Sequence, residues 1–167
     1  AKGYTYAGYN KDTSPTEYVN ESGVSNQVQI SITSSGRYTI VLEKQNINVK
    51  IVLESGQTNA YKLSSEDGVL NAERTELTDA YLGSEILFTA EENNHEQCNY
   101  FYYLDGTDEI EITGNTLTLT ADILDIATYS AGEYMLEVKV STTPKFKLEI
   151  TGVTSEVLLK TYIQGAT

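Results

Sequence analysis

The sequence predicts an all-β protein built from antiparallel β-sandwich units. Apolar and polar residues alternate with period two along most of the chain, which is typical of half-buried strands. Gly, Ser, Asn and Asp separate the alternating stretches at short intervals. Long stretches with apolar residues at helical spacing are absent from the sequence. Strands without long helices imply sheets packed on sheets.

The amino-terminal half predicts a meander of three half-buried strands. Residues 27–32 alternate cleanly, and a Ser-Ser-Gly turn follows at 34–36. Two further inward faces are expected, formed by Tyr38, Ile40, Leu42 and by Val49, Ile51, Leu53. Residues 60–63 predict a short strand and residues 64–68 a turn. Residues 70–77 fit either one or two helical turns or an extended linker.

The carboxy-terminal half predicts six more strands and one helical turn, at residues 122–128. The residues expected to define the strands are Ile86, Phe88, Ala90; 100–104; Leu117, Leu119; Tyr134, Leu136, Val138, Val140; Phe146, Leu148, Ile150; and 157–163.

We expect two units, at residues 1–77 and 78–167, with a boundary near the polar segment that begins at Leu77. A Gly-x-Tyr sequence precedes an alternating stretch in each half, at Gly36 and at Gly132. Gly-x-Tyr before an alternating strand is common in sandwiches, which explains the repetition by convergence; the alternative is two units built on similar plans.

The charge balance excludes several classes of partner. The chain has 11 Lys and Arg against 24 Asp and Glu, a net charge of −13. Such a surface repels nucleic-acid phosphates and anionic lipid head groups. One Cys excludes an intrachain disulfide and a Cys-ligated structural zinc. Since no apolar run approaches about 20 residues, membrane insertion is not expected.

The sequence does not predict an enzyme. A nucleophilic mechanism would rest on His95 and Cys98, which are three residues apart in a polar segment, whereas such pairs normally come from separate elements. Many acidic residues, among them Glu137 and Glu149, alternate with apolar ones and are expected to face solvent. We therefore assign no catalytic residue.

One segment has the composition of a calcium site. Asp105, Asp108 and Glu109 place three carboxylates around a single Asp-Gly turn. Calcium binds six to eight oxygen ligands, many of them carboxylates. Ordinary turn chemistry explains the same residues, so we expect no obligatory cofactor and name calcium as the candidate ion.

Tyrosine is the most suggestive residue type, with 13 copies and no Trp. Tyr4 and Tyr6 would share one face of an extended strand, with Tyr9 within reach across a turn at Gly8. Tyr103 would face away from Tyr102, which we expect in the core. Exposed aromatic rows on a sheet mark binding surfaces. The four candidate carbohydrate-binding residues are Tyr4, Tyr6, Tyr9 and Tyr103.

Residues 78–152 resemble a bacterial immunoglobulin-like or PKD-like module. The resemblance rests on the strings GSEILFTAEE, NYFYYLDG, TGNTLTLTADIL and YSAGEYMLEVKV. It implies that Tyr102 takes the place of the core Trp on the third strand and that Tyr134 is the corner tyrosine. The disulfide of antibody domains has no counterpart. The amino-terminal unit matches no family, and its meander fits a jelly-roll or a second immunoglobulin-like unit.

These observations favour a non-catalytic module of a bacterial protein, located outside the cell or on its surface. Its expected role is adhesion, spacing or assembly, with a protein or polysaccharide partner. The alternative is a carbohydrate-binding module that stacks sugars on exposed tyrosines. A resemblance of fold does not decide between them, because β-sandwiches serve unrelated functions.

Overall fold

A computed structural model describes residues 2–12, 19–20, 34–147 and 161–163. Within these ranges the fold is all-β, as predicted, with one helical segment, α1 (Ile123–Ile126), and a 3₁₀ turn at Thr113–Asn115. The strands are β1 (Tyr4–Lys11), β2 (Val19–Asn20), β3 (Tyr38–Lys44), β4 (Ile47–Ile51), β5 (Ala60–Ser64), β6 (Val69–Leu70), β7 (Glu76–Ala80), β8 (Glu85–Glu91), β9 (Glu96–Asp105), β10 (Asp108–Glu111), β11 (Thr116–Thr118), β12 (Thr128–Ser130), β13 (Glu133–Lys147) and β14 (Thr161–Ile163).

The described strands form three sheets. A small sheet has the order β2-β1-β3, and a second three-stranded sheet has the order β11-β8-β5. The large sheet runs β10-β9-β13-β4-β7-β6, with β12 and β14 also paired to β13. The 15-residue strand β13 organises the large sheet, because it pairs antiparallel with β9 and parallel with β4.

The predicted amino-terminal meander is not what the described strands form. β3 pairs with β1, whereas β4 lies in the large sheet between β13 and β7. Ile47, Val49 and Ile51 are buried there, as expected for a strand in the interior of a sheet. Leu53 lies beyond the end of β4 and is 47% exposed, so its predicted inward position is wrong. The first strand of the meander, residues 27–32, lies outside the described residues.

Strand pairing crosses the predicted boundary between residues 77 and 78. The boundary falls inside β7. β4 and β5, which precede the boundary, pair with β13 and β8, which follow it. Residues 47–77 therefore share their sheets and their hydrophobic core with the residues that follow.

The core joins the large sheet to the sheet formed by β11, β8 and β5. Phe101 of β9 lies 5.2 Å from Phe88 of β8 and 5.9 Å from Tyr61 of β5, measured between ring centroids. Phe101 thus occupies the core position predicted for Tyr102, which is buried outside this cluster. One residue of register decides which of two adjacent aromatics faces inward. The sandwich packing and the immunoglobulin-like assignment stay predictions.

Several predicted faces in the second half are confirmed. The buried residues of these faces are Ile86, Phe88, Leu117, Leu119, Leu136, Val138 and Val140. The predicted helical turn corresponds to α1. Residues 70–77 form neither a helix nor a linker, because β6 and β7 pair across a short turn.

The last two predicted strands are only partly described. β13 continues without a break to Lys147, so no separate strand begins before Phe146. Of residues 157–163, the structure describes β14. Across the described ranges, no helix has the length and apolar character needed to cross a membrane.

Phe101→Ala should lower the free energy of unfolding by about 3–5 kcal/mol, because it empties the contact between two sheets. Denaturation in urea, followed by circular dichroism, measures this loss. Tyr102→Ala is the matched comparison and should cost less. A greater loss for Tyr102→Ala would show that β9 packs in the register predicted from the sequence alone.

Candidate functional site

A row of aromatic and aliphatic side chains covers one face of β1 and β3. We call it the tyrosine strip; its members are Tyr4, Tyr6, Tyr9, Tyr38, Ile40 and Leu42. In the register of the two strands, Tyr9 lies opposite Ile40 and Tyr6 lies opposite Leu42. Residues directly opposite each other in an antiparallel pair share a face. Ile40 and Leu42 are each 48% exposed and Tyr4 is 36% exposed, so the inward face predicted for β3 is wrong.

A β-bulge brings the three amino-terminal tyrosines together. The register shifts between Tyr6 and Gly8, which leaves Ala7 as an extra residue in β1. Strict alternation would place Tyr9 on the face opposite Tyr4 and Tyr6, and the extra residue returns it to theirs. Gly8 lies within β1, so the turn predicted there is wrong, although the convergence of Tyr4, Tyr6 and Tyr9 is as predicted.

Close backbone packing fixes β1 to the rest of the protein. Gly3 is buried with φ +76°, and a Cβ atom there would lie 2.3 Å from Cδ1 of Leu82. The same Cβ would lie 3.2 Å from Cδ1 of Leu124. Lys2 adds an exposed ion pair with Asp125. Glycine suits this position, because it adopts positive φ without strain and leaves the Leu82 side chain in place.

Polar contacts fix the end of β3. Asn46 Nδ2 donates a hydrogen bond to Asp79 Oδ1 at 2.6 Å. Lys44 Nζ lies 3.5 Å from the centroid of the Tyr81 ring, a cation–π contact. The Tyr81 hydroxyl donates to Asp67 Oδ1 at 2.6 Å, and this hydrogen bond holds the pKa of Asp67 below its usual range.

Tyr103 does not belong to the tyrosine strip. It lies on β9 in the large sheet, opposite Ile110, and its ring packs half-buried against the core. Burial raises the pKa of the Tyr103 hydroxyl. The outer face of β9 instead carries Tyr100, whose hydroxyl donates to Glu109 Oε2 at 3.2 Å. Alternation correctly predicted that Tyr100 and Tyr103 point to opposite faces of β9. The residue on the outer face is Tyr100, however, and not Tyr103.

The three proposed calcium ligands lie on a hairpin that does not gather them into a site. β9 and β10 join through Gly106 and Thr107, with Gly106 at φ +63° in the first turn position, where a two-residue hairpin of type II′ requires glycine. Asp108 and Glu109 are adjacent in β10, so their side chains point to opposite faces. No three acidic, His or Cys side chains converge as a metal site within the described residues, which include Asp105, Asp108 and Glu109.

A buried carboxylate ties together the loops around His95. Oε1 of Glu96 accepts hydrogen bonds from the Thr58 N–H at 3.0 Å, the Asn59 N–H at 2.7 Å and the Tyr61 hydroxyl at 2.9 Å. Burial, followed by the hydrogen bond to Glu96, raises the pKa of Tyr61. Glu96 is 6% exposed. Its donors come from the protein itself, so the carboxylate serves to position a loop.

The surroundings of Cys98 disfavour the thiolate form of its side chain. Burial, reinforced by Glu92 and Glu96, raises the pKa of the Cys98 thiol. A cysteine nucleophile needs the opposite shift, because the thiolate is the reactive form. The His95 side chain is exposed, and its backbone carbonyl accepts the Lys145 N–H at 2.7 Å.

A small pocket of about 120 Å³ lies on the large sheet, lined among others by Leu104, Ile126, Met135 and Lys139. Sites for small organic ligands usually enclose about 300 Å³ or more. The tyrosine strip is therefore the stronger candidate for a functional surface. Sequence reasoning found its three amino-terminal tyrosines but assigned Tyr38, Ile40 and Leu42 to the core.

Comparisons with family models, with curated proteins and with solved structures found no match to this chain.

The pH dependence of stability should include a contribution from Glu92. Lys145 Nζ donates to Glu92 Oε2 at 2.7 Å, and this bond, with the Cys98 N–H on Oε1, lowers the pKa of Glu92. A lowered folded-state pKa stabilises the protein above the unfolded value of about 4.3. That stabilisation is lost as the pH falls through the folded-state value.

Glu92→Gln should therefore destabilise the protein most at neutral pH. The difference in the free energy of unfolding from wild type should shrink between about pH 6 and about pH 2, because Glu92 becomes protonated and is then uncharged, as Gln is. Urea titrations across this range measure it, with Glu85→Gln, an exposed residue of β8, as the control. A difference that stays constant with pH would contradict the role assigned to Glu92.

Cys98 should react slowly with iodoacetamide in the folded protein. Because its pKa is raised and it is partly buried, alkylation near neutral pH should be about tenfold slower or more than for an unstructured cysteine peptide. Denaturation in urea should restore the peptide rate, as measured by mass spectrometry. A folded-state rate above that of the peptide would indicate a stabilised thiolate.

Proposed function

We propose that this chain is a non-catalytic adhesion, spacer or assembly module of a bacterial extracellular or cell-surface protein, and that the tyrosine strip is its contact surface. One observation carries the proposal. Ile40 and Leu42 are half-exposed beside Tyr4, Tyr6 and Tyr9 on one face of a two-stranded ladder. Contiguous exposed apolar side chains on a folded protein mark interaction sites.

The composition of the strip favours a protein partner. Tyrosine is enriched in protein interfaces, where it supplies large contact area together with a polar hydroxyl. The residues directly opposite Tyr6 and Tyr9 are Leu42 and Ile40, which offer no hydrogen bonds to sugar hydroxyls. Asn10 is buried at 2% exposure and so supplies no accessible amide.

The expected location rests on composition. A net charge of −13 keeps the surface soluble, and a single cysteine avoids unwanted disulfides outside the reducing cytoplasm. The pKa of that cysteine is raised, which agrees with the non-catalytic role proposed here.

Carbohydrate binding is the second candidate, because the bulge places three tyrosines on one face. Tyr4, Tyr6 and Tyr9 would stack on the apolar faces of successive sugar rings. This function depends on the rings, whereas a protein contact depends on the rings and on the aliphatic residues beside them. The two candidates therefore predict different responses to substitution of Ile40 and Leu42.

The test measures binding of the purified chain to immobilised collagen, fibronectin, fibrinogen and mucin, and its retardation in gels containing soluble polysaccharides. Three variants are compared: Tyr4→Ala/Tyr9→Ala, Ile40→Thr/Leu42→Thr, and the control Leu87→Thr, whose residue is 43% exposed on β8. A protein contact should weaken about tenfold or more in both strip variants and stay unchanged in the control.

Other outcomes separate the candidates. Retardation by one polysaccharide that is lost in the tyrosine variant alone would establish the carbohydrate function. Binding to a protein that survives both strip variants would contradict the assignment of the strip as the contact surface.

A further inference from the structure

The tyrosine strip lies in a region of this acidic chain that carries excess positive charge. Residues 2–12 and 34–45 contain four basic and two acidic side chains, a net charge of +2, whereas the whole chain carries −13. In the register of β1 and β3, Lys11 lies opposite Tyr38 and Lys44 lies opposite Tyr4. A lysine therefore lies at each end of the strip, and the two ends are about 20 Å apart along β3.

The hairpin formed by β9 and β10 has the complementary character. Every residue from Asp105 to Glu111 is exposed, and this segment contains four acidic side chains and no basic one. Ile110, which is 37% exposed, shares its face of the hairpin with Asp108 and with Asp105, which lies opposite Asp108. The hairpin thus offers an apolar residue beside two carboxylates, whereas the strip offers apolar residues beside lysines.

We propose that the acidic hairpin of one molecule docks on the tyrosine strip of a second copy of this chain. The inference rests on the proposed function, because it names the partner of the same strip. Ile110 would lie against Ile40 and Leu42, with the carboxylates of Asp105 and Asp108 toward Lys11 at one end of the strip. Opposite charges at the rim of an apolar contact select the partner and set its orientation.

This contact joins two different surfaces, so it is heterologous. An open assembly of this kind keeps one unoccupied strip at one end and one unoccupied hairpin at the other. Heterologous contacts generate rings when the rotation closes and open chains when it does not. The assembly should therefore grow with concentration beyond a dimer, and it should weaken as salt screens the rim charges.

Sedimentation velocity over micromolar to near-millimolar concentrations tests the proposal, at about 20 mM and about 500 mM NaCl, where screening differs strongly. Three double variants accompany the wild type: Ile40→Thr/Leu42→Thr in the strip, Asp105→Lys/Asp108→Lys in the hairpin, and the control Glu73→Lys/Glu85→Lys. The hairpin and control variants change the net charge equally and differ only in where the charges lie. Far-ultraviolet circular dichroism confirms folding of each.

The wild type and the control should self-associate at low salt, with association about tenfold weaker or more at high salt. The strip variant and the hairpin variant should each stay monomeric. When these two are mixed, a 1:1 complex should form and grow no further, because one supplies an intact hairpin and the other an intact strip.

Three results would overturn the inference. The first is a wild type that remains monomeric at low salt. The second is a control variant that loses association as fully as the hairpin variant. The third is a mixture of strip and hairpin variants that forms no complex. If the wild type is monomeric but the strip variants lose binding to a protein of the panel above, the partner is a different protein and the proposed function stands. If the strip variants change neither kind of binding, the proposed function fails as well.

Discussion

The parallel pairing of β4 with β13 is the interaction on which the described structure depends. Five residue pairs, from Ile47 opposite Tyr134 to Ile51 opposite Val138, place an early strand in the interior of the large sheet. The other edge of β4 binds β7. Because only Gln45 and Asn46 separate β3 from β4, this pairing also fixes where the tyrosine strip lies. Backbone hydrogen bonds from Gln45 to Gly3 and from Tyr134 to Asn46 hold the connection in place.

Local alternation predicted most of the described strands but not their partners. Period two shows which residues share a face, and it correctly grouped Tyr38, Ile40 and Leu42. It does not show whether that face is covered, because burial depends on residues distant in the chain. The pairing of β4 with a strand more than 80 residues later left no local signal in the sequence, so the domain boundary at residue 77 was placed inside a continuous set of sheets.

The candidate site was predictable in composition and less so in geometry. The sequence predicts Tyr4, Tyr6 and Tyr9 as a group, yet the feature that aligns them is a one-residue bulge at Ala7, and the sequence predicted a turn at the neighbouring Gly8 instead. In β9, four aromatic residues follow one another, and alternation alone cannot decide whether Phe101 or Tyr102 faces the core. The Asp-Gly turn was recognised as well. Of the three carboxylates around it, Glu109 points away from Asp105 and Asp108, because neighbouring side chains along a strand point to opposite sides.

The two-residue connection between β3 and β4 has a mechanical consequence. A pull applied to the face of β1 and β3 passes along the backbone through Gln45 and Asn46 and reaches β4 at its amino end. When the pull is directed along β4, the hydrogen bonds to β13 and β7 lie across it and are loaded together rather than one after another. Detachment of β4 would then require the whole ladder to slip at once. Tension applied to the exposed face would therefore reach β4, which is paired on both edges inside the large sheet.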